Sequence, residues 1–322
     1  MEEQVCEAAL REAHERIRHL IHRTPVVTCA ALDHESGNHI LLKCENFQRT
    51  GAFKFRGACN AVAQLTADER RRGVVTHSSG NHAQALALAA RLHDVGCRVV
   101  MPTNAPEIKR RATEGYGAAI IPCEPTLESR QTTAARVVEE TGAVLVPPYD
   151  DDRIIAGQGT AALELLEEVP ALDAILAPVG GGGLLAGTAL AARLSARPPK
   201  VIGCEPAQAD DAYRSFKSGV RVERSTPNTI ADGLRTTLGV RNFPIIRGHV
   251  EDIVLISEEE IVEAMRFVWE RAKIVIEPSS AVAVAPLLFR KLDISGQNIA
   301  VILSGGNVDL SDFFSLLRAK IN

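Results

Sequence analysis

Ala174-Ile175-Leu176-Ala177-Pro178-Val179-Gly180-Gly181-Gly182-Gly183-Leu184-Leu185-Ala186-Gly187 is the stretch whose reading decides the fold. A short apolar run without alternation is what a parallel strand covered on both faces requires. The aliphatic pattern from 184 to 194 reads as a helix, so the four glycines form the turn between strand and helix. Ordering four glycines is entropically expensive. Their backbone N–H groups can converge without Cβ obstruction at the positive end of a helix, which makes a phosphate cradle. The bland alternative is a flexible turn. The spacing is neither GxxxxGK[ST] nor GxGxxG followed by an acidic residue after the next strand, which disfavours a nucleoside triphosphatase and a dinucleotide oxidoreductase.

The same alternation runs outward in both directions. Apolar, strand-like runs occupy His39–Cys44, Val74–His77, Arg98–Met101, Ala118–Pro122, Val144–Val146, Val201–Glu205, Ile253–Ser257 and Ile299–Ser304. Helical patterns fill Ala83–Arg91, Ile108–Glu114, Ser129–Glu140, Ala161–Glu168 and Glu258–Ala272, and an amphipathic helix ends before Pro25. Alternating strands and helices predict an α/β protein with one or two open, doubly wound parallel sheets. At 322 residues, about two domains are expected. Lys and Arg number 36 against 40 Asp and Glu, so the chain lacks the basic surplus of a nucleic-acid or anionic-membrane binder. No apolar run reaches the roughly 18 residues of a membrane span. The acidic Met1-Glu2-Glu3-Gln4 is not followed by an apolar leader, and seven scattered cysteines without a CxxC pair fit a reducing cytoplasm.

Ligands of open parallel sheets collect beyond the carboxyl ends of the strands. Three further clusters stand there. Ser78-Ser79-Gly80-Asn81-His82 opens a helix and offers hydroxyl, amide and imidazole donors to a carboxylate, although Ser and Asn serve equally well as helix caps. Ser304-Gly305-Gly306-Asn307 follows the last strand and, alone, is a turn. In Thr50-Gly51-Ala52-Phe53-Lys54-Phe55-Arg56-Gly57, a lysine lies between two phenylalanines and near an arginine. Desolvation and like charge there would lower its pKa and make the amine a nucleophile toward a carbonyl. A lone lysine is ordinarily a solvated charge.

Together the four clusters strongly resemble the fold-type II pyridoxal-phosphate family of serine racemases and serine/threonine dehydratases, and most closely its racemase-like branch, which also contains 3-hydroxyaspartate dehydratases. The resemblance runs from His22-Arg23-Thr24-Pro25 to Leu303-Ser304-Gly305-Gly306-Asn307-Val308-Asp309. It implies two doubly wound domains of the tryptophan synthase β type. Residues 1–72 and 151–322 would form a large cofactor-binding domain, and 73–150 a small mobile substrate domain. No regulatory domain is expected after Asn322. Lys54 would carry pyridoxal 5'-phosphate as a Schiff base and then act as acid and base. Phe53 would pack near the cofactor, Asn81 would bond its 3-hydroxyl, and Gly180, Gly181, Gly182, Gly183 and the Leu184 amide would hold its phosphate. Ser304 would face the pyridine nitrogen. A hydroxyl is a neutral partner there, so the ring is a weaker electron sink and elimination or reprotonation is favoured over transamination. Ser78, Ser79, Asn81 and His82 would hold the substrate carboxylate. Ser79 would also offer the proton donor opposite Lys54 that racemisation needs, while elimination needs only Lys54.

The resemblance implies more at the periphery. Glu205, the Ala209 carbonyl and Asp211, completed by waters, would form an octahedral oxygen site for Mg²⁺ or Ca²⁺; without it, this acidic stretch reads as a solvated turn. Thr50, Gln84 and Tyr116 match an activating ATP site between subunits, with Arg49 where a lysine is usual. Tyr149 stands where mammalian-type serine racemases have asparagine, which leaves the substrate side chain open. Arg130 matches an arginine suited to a distal carboxylate, and Thr236 lies where serine often lines the same side. The expected activity is α,β-elimination of water from L-serine or L-threonine, giving a 2-oxo acid and ammonia, with coupled serine racemisation. Its alternatives are 3-hydroxyaspartate ammonia-lyase and a catalytically silent cofactor or amino-acid binding protein. A cytoplasmic homodimer acting on a small amino acid, with no nucleic-acid or membrane partner, is the corresponding expectation.

Overall fold

The computed structural model describes residues 7–105 and 107–310. Ten strands form two sheets: β1 (Val26–Thr28), β2 (His39–Cys44), β3 (Val74–His77), β4 (Cys97–Pro102), β5 (Ala119–Cys123), β6 (Val144–Leu145), β7 (Ala174–Pro178), β8 (Lys200–Pro206), β9 (Asp252–Ile256) and β10 (Asn298–Leu303). One sheet has the order β1-β2-β10-β7-β8-β9, the other β5-β4-β3-β6. Every pairing is parallel except β1 with β2. The expected pair of open sheets is therefore present, with one short antiparallel edge added.

Fourteen α-helices accompany these strands among the described residues. They are α1 (Glu7–Ile17), α2 (Ala30–Ser36), α3 (Lys54–Ala63), α4 (Ala67–Arg72), α5 (Asn81–Leu92), α6 (Glu107–Gly115), α7 (Leu127–Thr141), α8 (Asp152–Glu168), α9 (Gly183–Ala192), α10 (Asp211–Ser218), α11 (Asn242–His249), α12 (Glu258–Phe267), α13 (Pro278–Ala281) and α14 (Ala285–Leu288).

Side-chain alternation shows why the strands are apolar throughout. On β10, Ala300 and Ile302 join a core with α8, α9 and α11, while Ile299, Val301 and Leu303 join a core with α12, α13 and α14. In the smaller sheet Val74 and Val99 face α3 and α5, whereas Val75 and Val100 face α7. Period-two alternation between two buried faces leaves no solvent side for polar residues.

Lys43 is the exception on β2. Its fully buried ammonium donates to Glu164 Oε2 on α8 at 2.8 Å and to the Thr24 carbonyl at 2.8 Å. Arg56, also fully buried, donates to both oxygens of Glu45 at 2.7 and 2.8 Å and to both oxygens of Glu164 at 2.8 Å. Two cations and two carboxylates thus share one buried cluster, which fastens α3 to β2 and α8. Burial opposes the Arg56 charge, yet the two glutamates outweigh it and hold its pKa above the ordinary value.

Helix α8 begins nine residues before the predicted Ala161. The added turns carry Gly157 and Gly159, which are poor helix formers. Packing explains them: a Cβ on Gly157 would lie 2.6 Å from the Gly57 Cα, and one on Gly159 would lie 2.8 Å from the Gly187 carbonyl oxygen. Close helix crossings at these two points exclude any side chain.

Candidate active site

Four loops meet at the carboxyl ends of β2, β3, β7 and β10. The loop after β2 leads into Lys54, the first residue of α3. Its approach is fixed by the loop after β10: the Phe53 amide donates to the Ser304 carbonyl at 3.0 Å, and Ala52 pairs with Gly305. Lys54 Nζ lies 5.0 Å from the Phe53 ring centroid and donates to the Pro148 carbonyl at 2.8 Å. Desolvation lowers the Lys54 pKa to about 8, with the Glu277 carboxylate opposing that shift. This corrects part of the sequence argument. Like charge from Arg56 is not the cause, because Arg56 turns inward to its own carboxylates. Phe55 also turns away, into the core with Ile17 and Leu86. Phe53, the Pro148 carbonyl, desolvation and the opposing Glu277 charge shape the amine.

The glycine turn after β7 is buried. Among the described residues, the amides of Gly180, Gly181 and Gly182 donate no hydrogen bond. The first-turn amides of α9 have no intrahelical acceptor either. Buried unpaired N–H groups are rare and require a partner, and a phosphate satisfies this set. The turn is shaped for close approach. Gly182 has φ +93°, and a Cβ on Gly181 would overlap the Tyr149 ring at 2.2 Å. Asn242 Nδ2 donates to the Gly181 carbonyl at 2.6 Å, fixing the turn from behind.

After β3, the N-cap of α5 is Gly80 with no side-chain cap. The capping alternative for Ser78, Ser79 and Asn81 is therefore not what the chain builds. Among the described residues, Ser78 Oγ accepts only from the Gly80 amide, at 3.3 Å, and Ser79 is half-buried beside it. Asn81 is tied across to the other sheet: its Nδ2 donates to Glu277 Oε1 at 2.8 Å, and its Oδ1 accepts from Asn307 Nδ2 at 2.9 Å. Asn307 Nδ2 also donates to the Thr50 carbonyl, at 2.7 Å. Glu277 is a site residue that the sequence did not reveal. Burial and Asp232 raise its pKa to about 7, against the Asn81 hydrogen bond. The Lys109–Asp232 ion pair makes a second link between the α6 side and this segment.

His82 departs from expectation. Its ring is buried, and Nε2 lies 3.0 Å from the Val146 carbonyl oxygen. A carbonyl can only accept, so Nε2 carries the proton. Burial and Lys54 lower the His82 pKa to about 3. A neutral ring already spent on Val146 offers a substrate carboxylate no second donor, and what remains for that role is the His82 backbone amide at the start of α5.

Ser304 is buried at the end of β10. Thr236 Oγ1 lies 2.6 Å from Tyr149 Oη, so Thr236 and the aromatic ring over Gly181 form one wall. Arg130, on α7, is outside this contact set, but its charge reaches His77, whose pKa falls through burial first and Arg130 second. Glu205 accepts from the Ala212 and Tyr213 amides at 2.8 and 2.7 Å, and Asp211 accepts from the Leu238 amide at 3.1 Å. Burial raises both acids, Asp211 to about 6 and Glu205 well above the usual range, with Asp211 adding to the Glu205 shift. Two buried carboxylates this close, beside the buried Ala209, suit a hard cation. The Gly239 amide, next to Leu238, donates to the Gly181 carbonyl at 3.0 Å, so the acidic loop also braces the glycine turn. Among the described residues, no hydrogen bond joins Thr50, Gln84 and Tyr116. Gln84 is buried on α5, and Tyr116 follows α6 under the Arg91 guanidinium, 5.8 Å from its ring centroid. No helix among the described residues is long and apolar enough to cross a membrane.

Comparison with known proteins agrees with this geometry. Serine racemase from Dictyostelium discoideum is 49% identical over 316 residues, covering 96% of this chain and 97% of its own length. The beta-hydroxyaspartate dehydratase of Paracoccus denitrificans is 49% identical over 298 residues, covering 92% and 95%. The structure of maize serine racemase superposes with a TM-score of 0.94 at 41% identity, covering 99% of this chain and 98% of its own. The family model for pyridoxal-phosphate dependent enzymes matches residues 17–305. With the amine, the anion cradle and the strand-end loops in one cleft, the chain belongs to the pyridoxal-phosphate dependent enzymes and shares their fold-type II architecture.

Proposed function

We propose that this enzyme removes water from small β-hydroxy amino acids, L-serine and L-threonine first, releasing 2-oxo acid and ammonia, and that it also racemises serine. The observation that carries the reading is Lys54: a desolvated amine that, among the described residues, forms no ion pair and donates to the Pro148 carbonyl, one residue before the Tyr149 ring that lies against Gly181. When bound, pyridoxal phosphate supplies the electron sink that acidifies the substrate Cα–H. Gly180 to Gly183 and the Leu184 amide hold the phosphate, and Phe53 packs beside the ring. Asn81, oriented by Glu277 and Asn307, presents its amide to the ring hydroxyl. Ser304 gives the ring nitrogen a neutral partner. Lys54 removes and returns the Cα proton on its face, with the Pro148 carbonyl holding the released ammonium. Ser79 stands for the opposite face and, with Ser78 and the Asn81 and His82 amides, binds the substrate carboxylate.

Residues 73–150 act as the mobile substrate-binding unit. The cation is Mg²⁺ or Ca²⁺ at Glu205, Ala209 and Asp211, and the enzyme works as a cytoplasmic homodimer. The second reading, 3-hydroxyaspartate ammonia-lyase, is favoured by Arg130, whose charge is felt at the substrate loop through His77. A panel of L-serine, D-serine, L-threonine and the 3-hydroxyaspartate isomers, followed for both oxo acid and enantiomer, separates the readings. Ser79→Ala sharpens it. The ratio of D-serine to pyruvate from L-serine is expected to fall roughly 10²–10⁴-fold, the usual worth of general acid–base help. An unchanged ratio would assign Ser79 to carboxylate binding alone.

A further inference from the structure

The segment Val146–Tyr149 joins the two halves of the site. At its start, the Val146 amide donates to the Val75 carbonyl at 2.9 Å, and the Val146 carbonyl accepts from His82. Two prolines follow. Their rings fix both φ angles, so Pro147-Pro148 is a stiff strut. Its last carbonyl, that of Pro148, accepts from Lys54 Nζ. Beyond it, Tyr149 is held by Asn242 Nδ2, 3.3 Å from its carbonyl, and by Thr236.

We infer that the His82 side chain is a positioning group for Lys54: its ring aligns the Pro148 carbonyl through the Val146–Pro148 strut and leaves contact with the substrate to the backbone amide. This rests on the proposed role of Lys54. Among the described residues, the buried Nδ1 of His82 has no hydrogen-bond partner, so the Val146 contact is the ring's one hydrogen bond there. The charged and titratable groups facing the pair are few. Glu277 acts on Lys54, while Lys54, His77 and Asp151 act on His82. A ring kept neutral next to the lysine orients the strut without adding a competing charge.

Glutamine and asparagine separate this role from packing. A glutamine amide nitrogen reaches the Nε2 position; an asparagine amide nitrogen mimics only Nδ1. In the cofactor-loaded, full-length enzyme, His82→Asn is expected to lower kcat about 10²-fold, the scale of an ångström-level misplacement. KM for L-serine should stay within about threefold, because no substrate contact is lost. The limb of the kcat–pH profile belonging to Lys54 should move to lower pH, since the carbonyl that favours the ammonium is displaced. His82→Gln should restore both kcat and the pH profile. Pro147→Gly, which keeps His82 and loosens the strut, should reproduce the asparagine effect, and it decides the matter if His82→Asn does not fold. Equal kcat in the glutamine and asparagine variants, a rise in KM at constant kcat, or an unaffected Pro147→Gly enzyme would each overturn the inference. Borohydride trapping of the cofactor on Lys54 runs alongside. Trapping on another lysine refutes the proposed function itself, whereas trapping on Lys54 with unseparated variants refutes only the role of His82.

Discussion

Lys54 and Arg56 are two residues apart at the start of one helix, yet they live in opposite electrostatic worlds. Arg56 points into the cluster with Lys43, Glu45 and Glu164, where two positive and two negative groups are matched within hydrogen-bond distance. Lys54 points into the cleft and finds a carbonyl instead of a carboxylate. Arg56 is fully buried and Lys54 half-buried, so both are desolvated. Pairing keeps the first permanently charged, and the lack of pairing leaves the second able to give up its proton near neutral pH. Matched buried charge thus marks the scaffold, and unmatched buried charge marks chemistry. The same contrast holds among the acids, since Glu164 is held below its usual range by Arg56 and Lys43 against the desolvation that opposes it, while burial raises Glu205 and Asp211, which among the described residues form no ion pair, Asp211 rising in spite of the nearby Arg214 charge.

Substitutions can break this contrast from either side. Lys54→Met should cost roughly 10⁴-fold or more in turnover, because covalent attachment and proton transfer are lost together, while the protein remains folded by circular dichroism. Arg56→Met should do the reverse. It leaves Glu45 facing no cation and Glu164 only Lys43, so urea unfolding should show a loss of about 3–5 kcal/mol, and any activity loss should follow the folded fraction. If Arg56→Met unfolds no more easily than wild type, the cluster is not the anchor described here.

The pH dependence sharpens the contrast. Glu164 is depressed in the folded state, so its contribution is present above the ordinary glutamate value near 4.5 and is lost as pH falls through its folded value. Lys54 has the opposite effect. Its folded pKa is about 8 against an ordinary 10.5, so between those values the unfolded chain binds more protons and stability rises with pH. In the cofactor-free protein, Lys54→Met should therefore melt above wild type at pH 7, and the gap should close toward pH 10. A gap independent of pH would mean that Lys54 is not strained by its charge. The smallest expected effect concerns the acidic loop. Chelation should lower the melting temperature by a few degrees through loss of a ligand bound only by the folded state, and Glu205→Ala should melt at the chelated value with or without chelator.

Much of this was legible in the sequence, and the gaps have physical reasons. The runs 39–44 and 74–77 are strands with the bounds read from them, because strands buried on both faces announce themselves as continuous apolar runs. β1 was missed: three residues on an antiparallel edge carry too little pattern. The first nine residues of α8 were missed because Gly157 and Gly159 look like breakers until the helices they admit are seen. The glycine turn and Lys54 were visible from residue type and neighbours. Glu277 and the Pro148 carbonyl were not. Glu277 meets Asn81 across 196 positions of chain, and a backbone acceptor has no signature in side-chain identity. The sequence shows the donor capacity of His82 but not the Val146 carbonyl that takes up its ring N–H.

The central claim, that the unpaired amine of Lys54 is the group that carries the cofactor, has a direct measurement. The purified enzyme is reduced with borohydride, digested and mapped by mass spectrometry. The account predicts a single phosphopyridoxyl-modified peptide whose label is on Lys54. A label on Lys43, Lys109 or any other lysine, with Lys54 unmodified, would contradict it.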